Sequence, residues 1–166
     1  MRGSLFLGLL YLIFFTACKE DKPALESIFQ DYYQTYKERK DFNAFLSFYD
    51  DSVILEDIIS GDSINGKAAL RRFFDWDNPN FTCLDSNILV INERVITDNT
   101  TVAKGYFSPF RWGELEFEAM HFTTILTFNT AGKIIKQVDW INYPSSLLNY
   151  DNRKDSNRWL PPNKRD

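Results

Sequence analysis

Metal-binding side chains are scarce in this chain: among 166 residues there are one histidine and two cysteines. A single histidine, His121, cannot build a histidine-rich metal site, and no Cys/His cluster with ligand spacing occurs. Long basic runs are missing too, and the net charge is −4. That acidic balance argues against nucleic acid as a partner. There is no phosphate-binding glycine loop, no Gly-x-Ser-x-Gly nucleophile elbow and no internal repeat. No metal and no cofactor is therefore implied. The longest apolar run, Leu5 to Phe15, is too short to span a bilayer, which needs roughly 20 such residues. Aromatic side chains, by contrast, make up 16% of the chain, enough to wall a pocket as well as fill a core.

The short apolar run follows Arg2 and ends in Phe15-Thr16-Ala17-Cys18. A short hydrophobic segment closed by small residues reads as an export signal rather than a membrane span. The last four residues resemble the bacterial lipobox, with Phe15 in place of the commoner leucine. The resemblance implies cleavage before Cys18 and acylation of that cysteine, with the attached chains holding the protein on a membrane. Lys19-Glu20-Asp21-Lys22 resembles a tract that directs some Gram-negative lipoproteins to the outer face of the outer membrane. It reads equally well as a solvated tether. The expected location is the outer membrane, with surface exposure a separate expectation. Residues 1–17 are then signal peptide, 18–24 the lipidated cysteine and tether, 25–148 the folded domain, and 149–166 a polar tail. Once Cys18 is lipidated, Cys83 stands alone, and its apolar neighbours suggest a small buried hydrophobe.

Pro23 suits the first turn of a helix, and Leu25, Ile28, Phe29, Tyr32, Tyr33 and Tyr36 form a stripe at helical spacing. A short second helix is expected around Phe42, Phe45, Leu46 and Tyr49. Val53 to Ile59 reads as a strand, and Lys67 to Trp76 as a third helix. Strands are expected at Ile88–Ile96, Val102–Phe110, Leu115–Phe128 and Lys133–Tyr143, with Arg111 to Gly113 as a connection. Within Leu115–Phe128 the apolar positions change from odd to even near His121, the pattern a β-bulge produces. Helices first and hairpin-linked strands afterwards predict an α+β domain. The tail offers Trp159-Leu160 as its docking point.

Three segments carry a family likeness. Phe128-Asn129-Thr130-Ala131-Gly132-Lys133-Ile134-Ile135 resembles the turn between the last two strands of SnoaL-like domains, in the nuclear transport factor 2-like superfamily. Val138-Asp139-Trp140-Ile141-Asn142-Tyr143, with Ser146-Leu147-Leu148, is similar to that group's aromatic final strand and exit. Ile64-Asn65-Gly66-Lys67-Ala68-Ala69-Leu70 resembles its glycine-led entry to the third helix. The resemblance covers Leu25 to Leu148. It implies a cone: three N-terminal helices packed on one face of a strongly curved mixed, largely antiparallel sheet, around one deep pocket. In epoxide-hydrolase-like members an acid on the last strand pairs with an Arg-x-Asp. Asp139 matches the first and Arg94 the arginine, but Ile96 stands where the second acid belongs.

Asp139, among apolar and aromatic neighbours, is the best candidate acid/base, since burial would raise its pKa toward neutrality. Structural hydrogen bonding or a solvent-facing position is the other reading of the same residue. His121 and Asp57, the latter beside Glu56, are candidate catalytic partners, while Trp140, Tyr143 and Phe122 are candidate ligand contacts. Two functions remain open: a tethered domain binding a small apolar or aromatic ligand, and a cofactor-independent isomerase, cyclase or hydrolase. Whether Asp139, His121 and Asp57 converge on one pocket separates them. A homodimer is also expected, because both faces of the last strands are apolar; a folded-back tail is the alternative cover.

Overall fold

The computed structural model describes residues 24–148 and 155–161. The signal segment, Cys18 and most of the tether lie outside the described residues, as do 149–154 and 162–166. Helix α1 (Leu25–Glu38) buries Phe29, Tyr32 and Tyr33 on the face the aromatic stripe anticipates. It stops at Arg39, whose left-handed backbone (φ 47°) returns its N–H to the Thr35 carbonyl. Helix α2 (Phe42–Ser47) is capped by Asp41, which accepts from the Ala44 N–H at 2.8 Å. Tyr49, expected to end that helix, instead opens strand β1 (Tyr49–Asp57). After β2 (Ser63–Asn65) comes α3 (Lys67–Phe74), which packs on β1 and β2 while α1 lies against β4.

The remaining strands are β3 (Phe81–Cys83), β4 (Leu89–Ile96), β5 (Thr100–Phe107), β6 (Phe110–Trp112), β7 (Leu115–Phe117), β8 (Met120–Phe128) and β9 (Ile134–Ile141). Six of the nine form one mixed sheet in the order β2-β1-β9-β8-β5-β4, with only β1 and β9 parallel. The other three, β3-β6-β7, make a small separate sheet. Its rings Phe81, Phe110 and Phe117 stack at centroid separations of 5.6 and 5.0 Å. This is the α+β arrangement, helices on the concave face of a curved sheet.

The small sheet corrects two expectations. Leu115–Phe128 is not one bulged strand but two strands in different sheets, broken at Glu118-Ala119. The change of apolar phase is that crossing, and His121 follows it. Likewise Arg111 and Trp112 belong to a strand, β6, rather than to a connection. A bulge does exist, but in β9. Thr127 pairs with Lys136 while Phe128 pairs with Ile134, so β9 carries one extra residue. Ile134 is buried, and after the extra residue Gln137 and Asp139 are buried, so the inward set switches from even to odd.

The tail touches the body differently from expectation. Ser156 N–H donates to the Ile58 carbonyl at 3.3 Å, and the Arg158 guanidinium donates to the Gly61 carbonyl. Trp159 and Leu160 remain 37% and 46% exposed, so they are not the docking point. Cys83 is half-buried against the core rather than enclosed.

A second irregularity sits between β4 and β5, where the register shifts between Ile91 and Glu93. Opposite it, a Cβ on Gly105 would lie 1.9 Å from the Val90 carbonyl oxygen. Backbone, not a movable side chain, fills that space. Gly105→Ala should cost roughly 3 kcal/mol or more, and urea unfolding of the two proteins measures it. A variant within experimental error of the wild type would mean the two strands are not held this close.

Candidate functional site

Between the helices, the inner face of the large sheet and the small sheet lies a cavity of about 400 Å³. Tyr33 and Tyr36 reach it from α1, one helical turn apart along the buried stripe. Phe122 and Thr124 enter from β8, and Gln137 and Asp139 from β9. The walls are mostly aromatic, drawn from both sheets and from α1 and α3.

Asp139 is 6% exposed and sits at the end of a polarised chain of hydrogen bonds. Thr124 Oγ1 donates to its Oδ1 at 2.6 Å, and Gln137 Nε2 donates to its Oδ2 at 2.8 Å. Gln137 Oε1 accepts from Tyr49 Oη at 2.7 Å. With the Tyr49 hydrogen so used, the Tyr32 hydroxyl, 2.7 Å away, is the donor to Tyr49. Every donor in the chain thus points toward the carboxylate. Burial nevertheless raises the Asp139 pKa to about 7. The Thr124 and Gln137 hydrogen bonds oppose that rise, and the nearby Asp57 charge adds to it. Because both oxygens already accept from protein, a proton taken up by Asp139 has to use the remaining lone pairs. Tyr33 Oη is also buried and, among the described residues, has no partner at hydrogen-bond geometry, although Thr124 lies beside it. A buried, unpaired hydroxyl in a cavity wall is a donor in want of an acceptor.

The candidate residues separate into three groups. Asp139, Phe122 and Tyr143 line the cavity. Asp57 lies directly across from Asp139 in the parallel pair, but its oxygens are occupied. Oδ1 accepts from the Ile59 and Ser60 N–H groups at 3.0 Å each, tying the β1–β2 turn, and Oδ2 accepts from the Tyr143 hydroxyl. Asp57 therefore holds Tyr143 in place from behind. Burial and that carboxylate push the Tyr143 hydroxyl pKa well up, so it stays protonated.

His121 and Trp140 are on the opposite face. His121 is exposed and shares a shallow outer depression with Lys104, Trp140 and Asn142. Trp140 is 40% exposed. Strand alternation explains both: their neighbours Phe122 and Asp139 face inward. The expected convergence of Asp139 with His121 thus does not occur. Glu56 also faces outward, paired with Lys136 at 2.9 Å. Arg94 shares the inner face but sits on edge strand β4, three strands from Asp139, where it pairs with Glu26 of α1 at 2.7 Å, so no epoxide-hydrolase-like Arg-x-Asp stands beside Asp139. Sequence reasoning missed Tyr33, Thr124 and Gln137. The one available signal was Gln137, two residues before Asp139 and hence on its face of the strand.

Comparison with known proteins supports the fold. A candidate SnoaL-like polyketide cyclase from Shewanella putrefaciens aligns at 17% identity over 73% of this chain and 91% of its own, with TM-score 0.61. A nuclear transport factor 2-like protein of unknown function from Burkholderia xenovorans aligns at 16% identity over 82% and 93%, with TM-score 0.56. A candidate ketosteroid isomerase from Kribbella flavida aligns at 14% identity over 75% and 87%, with TM-score 0.55. No protein-family model matches the chain, and no curated protein matches it significantly. The fold is the SnoaL-like, nuclear transport factor 2-like cone that the three sequence segments resemble. Among the described residues, no group of three or more His, Cys, Asp or Glu side chains is placed to hold a metal ion.

The raised pKa carries a stability consequence. A folded value near 7 lies above the roughly 3.9 of an unfolded Asp. The folded state therefore holds the extra proton across that window, and stability falls as pH rises from about 4 to about 7. The limiting loss is about 4 kcal/mol. Asn has nothing to ionise, so Asp139→Asn should match the wild type near pH 4 and exceed it by roughly 2–4 kcal/mol near pH 8. Urea unfolding at the two pH values checks this. A variant less stable than the wild type at the higher pH would show that the ionised carboxylate is a structural acceptor.

Proposed function

We propose that this chain is a tethered small-molecule-binding domain whose cavity takes an apolar or aromatic ligand carrying an oxygen at one end. The observation that carries the reading is the presence of Asp139 and of Tyr33, whose buried hydroxyl has no partner among the described residues, in a cavity walled mostly by aromatic side chains. A volume of about 400 Å³ suits a drug-sized molecule. A few placed polar groups in such a pocket fix a ligand's orientation while apolar burial supplies affinity.

A second reading, a cofactor-independent isomerase, cyclase or hydrolase, is favoured by one observation: an acid whose pKa is near 7 can both give and take a proton at neutral pH. Tyr33, rather than His121 or Asp57, would be its partner, donating to an oxygen on which charge develops. Solved structures that share the fold include candidate polyketide cyclases and a candidate ketosteroid isomerase. Among the described residues, no second free carboxylate and no imidazole lines the cavity, which keeps binding ahead of catalysis.

Attachment belongs to the same reading. The sequence before Leu25 supports lipidation at Cys18 and an outer-membrane location. Pairing with a second copy through the outer face of the sheet is supported by a continuous apolar row, Val95, Val102, Ile125 and Val138, beside half-exposed Trp140.

Two experiments test these proposals. Cys18→Ser should abolish acyl labelling and release the protein from the membrane fraction, and unchanged labelling would remove the anchor. Native mass spectrometry after incubation with a metabolite pool should show a retained small molecule on the wild type. Tyr33→Phe deletes only the unpaired hydroxyl, so it should leave unfolding unchanged or slightly stabilised yet weaken retention about tenfold. Equal retention by the variant would exclude Tyr33 as the ligand's donor.

A further inference from the structure

Among the described residues, the cavity wall also holds one fixed positive charge. Arg39, the residue that ends α1, lines the same cavity as Asp139 and is half-buried. Its left-handed backbone and its stacking keep it in place. The guanidinium carbon lies 4.4 Å from the Phe81 ring centroid and 5.1 Å from that of Trp76, and Nη2 donates to the Trp76 carbonyl at 2.9 Å. One of five N–H donors is thereby committed. Six ion pairs occur among the described residues, and Arg39 is in none of them. Asp75 and Asp77 are near enough to be felt but not to bond. Among the described residues, no lysine and no other arginine lines the cavity.

The two charged groups of the cavity differ in how they respond to burial. Asp139 becomes neutral by taking up a proton near pH 7. A guanidinium cannot shed its charge at any pH the protein meets. Below about pH 7 the unmet charge of the cavity is therefore positive, and it is presented by a planar fork that lies over the Phe81 and Trp76 rings. Forks of this kind match the paired oxygens of a carboxylate or a phosphate. Tyr36, Arg39 and Asp139 all line this one cavity.

We propose that Arg39 anchors an anionic head group, so that the ligand is an amphipathic oxyacid: an apolar or aromatic body in the cavity, with its carboxylate or phosphate on the guanidinium. The assignment rests on the cavity being a binding site, as argued above. It narrows the ligand from any apolar molecule to one with a fixed negative end.

Three probes that share one ring system isolate the head group: 2-naphthoate, 2-naphthyl phosphate and 2-naphthylmethanol. Titration calorimetry near pH 6, where Asp139 is mostly protonated, should show at least one of the two anions binding about tenfold more tightly than the neutral alcohol, the gain expected from a charge-assisted pair. That preference should weaken as salt is raised. Arg39→Gln should remove the preference while leaving the alcohol's affinity within a few-fold, which also reports that the cavity is still folded. Arg39→Lys should keep only part of it, since the charge remains but the fork is lost. The readout is the anion-to-alcohol ratio, so a general loss of affinity does not count as support. A wild-type ratio near one, or a ratio unchanged in Arg39→Gln, overturns the proposal and leaves the binding site standing. Failure of all three probes to bind overturns the binding reading together with the anchor.

Discussion

One extra residue in β9 decides what the cavity contains. Without the slip between Ile134 and Lys136, the strand would continue its even inward phase, and Gln137 and Asp139 would point outward. Lys136 and Val138 would take their places, and the inner wall would hold a lysine and a valine. A single-residue change of register is enough because side chains alternate with period two. The bulge is also what splits the last strand's two aspects. Trp140 lies on the outer face, while Asp139 beside it joins the buried network.

That network explains why a carboxylate is tolerated there. Burial alone would keep Asp139 neutral to high pH. Two donors and a chain of tyrosine hydroxyls behind them lower the cost enough for ionisation to fall near neutrality. Tyr32 and Tyr49 are fully enclosed, and burial raises the pKa of both, so they remain donors throughout. The arrangement resembles a preorganised polar end on an apolar pocket: its dipoles are fixed before any ligand arrives. Asp57 supports it from the adjacent strand, holding the β1–β2 turn with one oxygen and Tyr143 with the other.

The α1 stripe and the inward β8 positions were legible in the sequence, because helix and strand periodicities are local properties. The last hairpin was equally plain, since Asn129 to Gly132 form a tight turn, with Gly132 at φ 74°. The small sheet was not legible. Its strands are three residues each, and although β6 and β7 form a local hairpin, β3 pairs with β6 across about 30 residues, so no short window of sequence contains that partner. The same limit applied to the site. Asp139 could be singled out by its neighbours, but His121 shares the hydropathy of its surroundings whichever face it takes. Its orientation follows from where β7 ends and β8 begins, which is a tertiary fact. Tyr33 and Arg39 were hidden for another reason. Tyr33 belongs to the helical stripe and reads as core, Arg39 lies just beyond that stripe, and only the cavity between them and β9 changes their meaning.

The parallel pairing of β1 with β9 has a kinetic consequence. Tyr49 and Gln137, hydrogen-bonded to each other, are 88 residues apart, as far as almost any contact in the fold. Ordering that much intervening chain precedes the gain from the contact, so the central strand pair is an entropically late event. Until β9 arrives, β1 and β8 each present an unpaired edge, and the tyrosines of α1 have no carboxylate to face. The nascent chain therefore stays open until its last strand is made. A partly synthesised copy has two adhesive strand edges and no finished cavity.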